Sequence, residues 1–103
     1  MFDPAMIKRL QKDLHDRIDR MKDDLGHQHV EGTAGGGAVT VVATGNGDIH
    51  EIRIKPEAVD PDDVEMLQDL IMAAVNQALE NARRLKEDSV SDMTGGLKLP
   101  DFF

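Results

Sequence analysis

The stretch from Gly35 to Pro61, GGGAVTVVATGNGDIHEIRIKPEAVDP, is the part of the chain that reads as sheet, and it divides two long segments of helical character. Ala38 to Thr44 and Ile49 to Ile54 are dense in β-branched residues, which suit a pleated, half-buried surface. Between them, Gly45-Asn46-Gly47-Asp48 contains Asn-Gly, a short-range hairpin signal because both residues tolerate the positive φ of a tight turn. Pro56 closes the second run, having no N–H to give to a ladder. Val30 to Ala34 supplies a short first strand in spite of Gly32, and Gly35-Gly36-Gly37 turns the chain into the next one. No Gly-Lys-Ser/Thr follows those glycines, and a strand rather than a helix comes after them. They therefore read as a hairpin loop and not as a phosphate cradle. In the central strand Val39, Val41 and Ala43 share one face, and Thr40, Val42 and Thr44 the other. The expectation is an antiparallel meander with one face packed on helices and the other face, or an edge, free for a partner sheet.

Before the sheet, Asp3 is a good N-cap and Pro4 suits the first helical position. Ile7, Leu10, Leu14, Ile18, Met21 and Leu25 then recur at the period of a helix and form one straight apolar stripe. Gly26 is expected at the C′ position in the left-handed conformation. A lone hairpin is too small to cover such a stripe, so a partner helix is implied. The polar face carries Lys8, Arg9, Lys12, Arg20 and Lys22 among Asp13, Asp16, Asp19 and Asp23. Asp13–Arg17 and Asp16–Arg20 stand in the favourable acid-before-base order at spacing four. Two readings follow: a solvated face laced with weak ion pairs, or a phosphate-contacting face whose unpaired end is Lys8, Arg9 and Lys12. His27-Gln28-His29 has the alternation of a chelating pair but no third ligand of suitable type nearby, so no metal is expected.

After the sheet, Asp60-Pro61-Asp62-Asp63 predicts a helix start, with Asp60 capping and Pro61 at the first position. A calcium loop is excluded by its spacing. The helix carries a wide stripe that includes Val64, Leu67, Leu70, Ile71, Ala74, Val75, Ala78, Leu79, Ala82 and Leu85, flanked by Met66 and Met72. Ala74, Ala78 and Ala82 permit close approach of another helix. Arg83, Arg84 and Lys86 stand in the last turns, where bases favour the helix dipole. The layout expected is one domain over 1–103: arm helix 4–25, sheet 30–55, second helix 61–88 and Gly-rich tail 89–103, the tail either flexible or docked by Leu97, Leu99, Phe102 and Phe103.

Composition narrows the function classes. There is no cysteine, hence no disulfide, thiolate nucleophile or Cys-containing metal site. No His–carboxylate set has recognisable spacing, so no enzyme and no cofactor are expected. No apolar run is long enough for a signal peptide or a membrane span, which predicts a cytoplasmic protein without a membrane partner. The net charge of −8 argues against nucleic acid if taken alone. It is unevenly placed, however. Residues 1–22 hold six Lys/Arg against four Asp, whereas residues 23–82 hold only Arg53 and Lys55 against twelve acids.

The glycine turn before a Val-rich strand, the strand ending Ile54-Lys55-Pro56, and the run Glu65, Leu67, Asp69, Leu70, Ile71, Ala73, Ala74, Asn76, Ala78 resemble the YbaB/EbfC family of bacterial nucleoid-associated proteins, as does the tail MTGGLKLPDFF. The resemblance implies an α+β fold (α-β-β-β-α) and a homodimer whose sheets and second helices join, with long helices projecting as tweezer arms. It also implies binding of double-stranded DNA with little sequence discrimination, in the nucleoid, with a role in nucleoid organisation and gene regulation. DNA contact would fall on Lys8, Arg9, Lys12, Arg20, Arg83, Arg84 and Lys86. The acidic composition favours an alternative: an adaptor that grips a protein partner of the replication or recombination machinery.

Overall fold

The computed structural model describes residues 3–93. Helix α1 (Pro4–Gly26) leads into strands β1 (His29–Ala34), β2 (Val39–Thr44) and β3 (Ile49–Ile54); a 3-10 turn, Pro56–Ala58, then precedes helix α2 (Val64–Met93). The sheet is the expected antiparallel meander in the order β1-β2-β3.

The helix ends are built differently from expectation in three places. Asp3 does cap α1, accepting from the Ala5 N–H at 3.0 Å. At the other end Gly26 is not left-handed: it is the last helical residue, and among the described residues positive φ is confined to Gly35, Gly36, Gly37 and Gly47. The turn after it is closed instead by the His27 N–H on Asp24 O and by His27 Nδ1, which donates to Asp23 O at 2.8 Å. Helix α2 starts three residues later than Pro61. Asp60 to Asp63 form a turn centred on Pro61 and Asp62, with the Asp63 N–H on Asp60 O, and Asp63 is the residue whose side chain accepts from the Met66 N–H. Continuing to Met93, α2 also takes in Ser89–Met93, which the sequence reading had placed in the tail. The remaining tail residues, 94–103, lie outside the described residues.

The β2–β3 turn likewise departs from the mirror-image form. Only Gly47 has positive φ (88°), and its N–H bonds to Thr44 O while the Thr44 N–H bonds to Asp48 O. This is an ordinary turn completed by a left-handed glycine bulge. Its tip is also an anchor. The Gly45 N–H reaches Leu25 O at 2.9 Å, and Asn46 Nδ2 donates to Lys22 O at 2.7 Å. A Cβ on Gly45 would stand 2.8 Å from the Leu25 side chain, so glycine is what lets the hairpin seat on the end of α1.

The core is thin and made of small residues. Val39, Val41 and Ala43 of β2 meet Ala74, Ala78 and Ala82 of α2. The alanines thus serve approach to the sheet rather than to another helix. At the crossing point Gly32 is indispensable: a Cβ there would fall 2.3 Å from Ala74 O and Ala78 N. Helix α2 also blunts the outer edge of β1, where the Thr33 N–H donates to Gln77 Oε1 at 2.6 Å and Asn81 Nδ2 donates to Glu31 O at 2.7 Å. A sheet edge covered in this way no longer offers a template for pairing.

Coverage stops at β2. The register aligns Ile54, Ile52 and Ile49 with Val39, Val41 and Ala43, so the three isoleucines share the helix-facing side of the sheet. All three are nevertheless exposed, as are Met72 and Leu79. The outer face is polar: Arg53 donates across the sheet to Glu31 and approaches Glu51 at 3.7 Å, and His29 stacks on His50 with ring centroids 4.4 Å apart. The apolar surface left for a partner is therefore the gutter between α2 and β3, and the opposite face of the sheet is already satisfied by charge.

Candidate nucleic-acid interface

The molecule is long, with principal extents of 71 × 20 × 17 Å. At 1.5 Å per residue α1 and α2 measure about 35 and 45 Å, and they overlap only where their C-terminal ends meet. In the overlap, the C-terminal end of α2 (Ser89, Asp92) and α1 (Arg17, Arg20, Met21, Asp24) line a cleft of 360 Å³. Beyond it the first turns of α1 project alone.

Those turns carry the basic end of the helix. At 100° per residue Lys8, Arg9 and Lys12 fall within about 100° of one another, on the side opposite the apolar stripe. Among the described residues none of the three, nor Arg20, forms an ion pair. The anticipated Asp13–Arg17 and Asp16–Arg20 pairs do not close either; the contact made on this helix is His15 to Asp19 at 3.4 Å. Leaving both partners hydrated costs an exposed helix little, since such pairs are worth only about 0.3–0.5 kcal/mol.

The bases of α2 stand in a different setting. Arg83 is gripped by Glu80 and Glu87, and Arg84 approaches Glu80 at 3.4 Å. The hydrogen bond from Arg83 holds the Glu80 carboxyl below the usual carboxylate range, aided by the charges of Arg83 and Arg84. The same bond with Glu80 raises Arg83 further. Lys86 is engaged as well. The structure thus divides the seven candidate bases into an unpaired set on the projecting helix and a set already occupied by acids of its own helix. Sequence spacing contains this signal, since Glu80 lies three and four residues before Arg83 and Arg84. His27 bonds Asp23 O while His29 stacks on His50, and the described residues contain no group of three or more His, Cys, Asp or Glu arranged to hold a metal.

A meander one helix thick, with an unfinished apolar gutter and a basic helix end projecting from an acidic body, defines a class of small helix–meander–helix proteins whose long helices are largely exposed. The YbaB/EbfC DNA-binding family profile matches residues 3–97. A nucleoid-associated protein of Pelotomaculum thermopropionicum is 52% identical over 98 residues, covering 95% of this chain and 92% of its own. One from Acetivibrio thermocellus is 58% identical over 92 residues, covering 89% and 80%. In shape, the chain is similar to HP0035, an uncharacterized protein of Helicobacter pylori, with a TM-score of 0.81 at 19% identity over 92% of this chain and all of that one. The chain belongs to the YbaB/EbfC DNA-binding family, whose members are nucleoid-associated proteins. No helix among the described residues is long and apolar enough to cross a membrane.

Proposed function

We propose that the protein works as a homodimer that binds double-stranded DNA in the bacterial nucleoid with little sequence discrimination, organising DNA and affecting gene expression by binding rather than by catalysis. The observation that carries this reading is the unpaired cluster of Lys8, Arg9 and Lys12 on the projecting end of α1, clear of the acidic body. Phosphate neutralisation by these three and Arg20 is the mechanism, with Arg83, Arg84 and Lys86 as weaker contributors because acids or neighbours already engage them. With few side chains on these faces suited to reading base edges, discrimination would come from DNA shape or be absent.

The dimer in this reading closes the gutter between α2 and β3. Because Gln77 and Asn81 tie one flank of α2 to β1, the opposite flank, bearing Met72, Val75 and Leu79, turns towards β3. A two-fold axis along the free β3 edge would place the isoleucines of one protomer against the same surface of its partner. The −8 charge and this apolar gutter also suit the adaptor reading, in which a different protein fills the gutter.

Fluorescence anisotropy with an unrelated-sequence duplex of about 30 base pairs tests the proposal. Four phosphate contacts per arm predict about a 10²-fold loss of affinity between 50 and 200 mM salt. Lys8→Glu combined with Arg9→Glu should abolish retention while leaving the sedimentation of the protein unchanged. DNA retention that survives this double change would overturn the arm-phosphate mechanism. Absence of binding by the wild type at 50 mM would favour the adaptor.

A further inference from the structure

The tip of the β2–β3 hairpin ties α1 to the sheet. The Gly45 N–H is shared between Leu25 O at 2.9 Å and Gln28 O at 3.0 Å, and Asn46 Nδ2 donates to Lys22 O at 2.7 Å. Leu25 is fully buried with its side chain against Gly45, and a Cβ on Gly26 would stand 3.3 Å from Asn46 Nδ2. A side-chain amide suits this place. It gives an N–H to a carbonyl at the negative end of the helix, whose last turn carries Asp23 and Asp24 and no base. Asn46 is nevertheless exposed, and Gly47 follows it with a φ of 88°. An asparagine before a glycine is open to attack by its own backbone, because no side chain on the next residue shields the nitrogen.

We infer that Asn46 is a site of spontaneous deamidation, and that its conversion to aspartate or isoaspartate unlatches α1 from the hairpin. The Gly47 nitrogen, losing its proton, attacks the side-chain carbonyl carbon of Asn46. The bond from that carbon to Nδ2 breaks, and ammonia leaves with the proton. The five-membered imide left behind takes up water at one carbonyl or the other, giving aspartate or isoaspartate with no oxidant or cofactor consumed. The seated turn restrains this step at both ends. Thr44 O holds the Gly47 N–H at 2.9 Å, and Lys22 O holds Nδ2, the nitrogen that must depart. Reaction is therefore confined to local openings in which the turn leaves the helix. The product resists return. A carboxylate has no N–H to give to Lys22 O, and it brings a further negative charge to a helix end that already carries Asp23 and Asp24. Isoaspartate also lengthens the backbone of the turn by one atom. Each opening that ends in conversion thus loosens the arm permanently, whatever the arm grips.

Peptide mapping of the full chain, aged at mildly alkaline pH, tests the chemistry, since the chain's asparagines are Asn46, Asn76 and Asn81. In native buffer a gain of one mass unit should build up at Asn46 and not at the other two, about ten- to a hundredfold more slowly than in concentrated urea, as a locally opening seat requires. Equal rates in the two conditions would overturn the inference, as would an unconverted native chain once the urea sample is fully converted. The consequence is read separately from Asn46→Asp, which is the product, and Asn46→Ala, which loses the donor without gaining a charge. The Gly45 amide reports the seat directly, because it donates to Leu25 O. Its hydrogen exchange should rise severalfold in Asn46→Ala and by about tenfold or more in Asn46→Asp, while the amides of α2 around Ala78 keep their wild-type rates. Wild-type exchange at Gly45 in Asn46→Asp would show that conversion does not unlatch the arm and would overturn the inference equally.

Discussion

Ile52→Asp separates folding from assembly more sharply than any other single change. Ile52 sits mid-strand on β3, paired with Val41, and is 45% exposed in the isolated protomer. Full burial of an isoleucine side chain is worth about 1.5–3 kcal/mol, so closing the remaining exposure contributes about 0.7–1.4 kcal/mol per copy and about twice that across a two-fold interface. An aspartate in its place would forfeit that gain and require desolvating a carboxylate in each copy, at a cost of several kcal/mol apiece. The sum is at least about 4 kcal/mol, a dimer dissociation constant raised by about 10³. Within the protomer the change also forfeits the part of the side chain that is already covered, about 0.8–1.7 kcal/mol, which a folded domain can lose without unfolding. Sedimentation equilibrium at about 10 μM should therefore show wild-type dimers and Ile52→Asp monomers, both with the same helical circular dichroism. Wild-type sedimentation by the variant would refute placement of the interface in the gutter, and a monomeric wild type would refute the dimer itself.

Two further outcomes follow from contacts within the protomer. Gly32→Ala should destabilise the fold by about 3 kcal/mol, the upper range for overpacking, because the added methyl meets backbone atoms of α2 rather than a movable side chain; a urea midpoint unchanged from wild type would show that α2 does not rest on β1 as described. Glu80 gives a pH signature. Its carboxyl is depressed in the folded state by Arg83, so its contribution to stability is present above the ordinary value of 4.5 and is lost as pH falls through the lower folded value. Glu80→Gln should accordingly lower the thermal midpoint slightly at pH 7 and leave it unchanged near pH 2, and an equal difference at both pH values would contradict the Arg83 pairing.

The element order was legible because each signal in it is local. The period of Ile7 to Leu25, the β-branched runs, Pro56 and the three glycines after Ala34 act within a few residues, and the meander and helices follow from them. What stayed illegible depends on contacts between distant residues. Gly32 reads as a flaw in a strand until α2 is laid across it, and Ala74, Ala78 and Ala82 suit a helix partner as well as a sheet. Gly45 and Asn46 announce a turn, but nothing near them in sequence says that the turn grips Lys22 and Leu25. The start of α2 was misplaced because Asp60, Asp62 and Asp63 are equally good caps by type, and only backbone geometry selects Asp63. At the candidate interface the cluster Lys8, Arg9, Lys12 was visible from charge spacing. The neutralisation of Arg83 and Arg84 by Glu80 and Glu87 is equally legible, because the same i,i+3 and i,i+4 spacing rule that applies to α1 places these acids beside them.

Net charge is the wrong variable for judging whether so acidic a chain can hold DNA; distance from the acids is the right one. The acidic excess belongs to residues 23–82, which build the sheet and most of α2, while Lys8 lies 17 residues up α1 from Leu25. That separation is about 25 Å along the helix. At 0.15 M salt, where the Debye length is about 8 Å, the repulsion of the body is screened about twentyfold before it reaches the tip. At 0.01 M the Debye length grows to about 30 Å and the body and the tip are felt together. The proposed contact therefore predicts an unusual salt profile. Between about 100 and 300 mM, log affinity should fall linearly with log salt, with a slope near −3.6 for four contacts on one arm. Below about 20 mM the curve should flatten, because the unscreened acids begin to repel the same duplex that the arm attracts. A neutral body would instead give a straight line into the low-salt range. A straight line from this protein, measured by anisotropy down to 10 mM, would show that the acids lie too close to the contact or too far from the DNA for the architecture to matter.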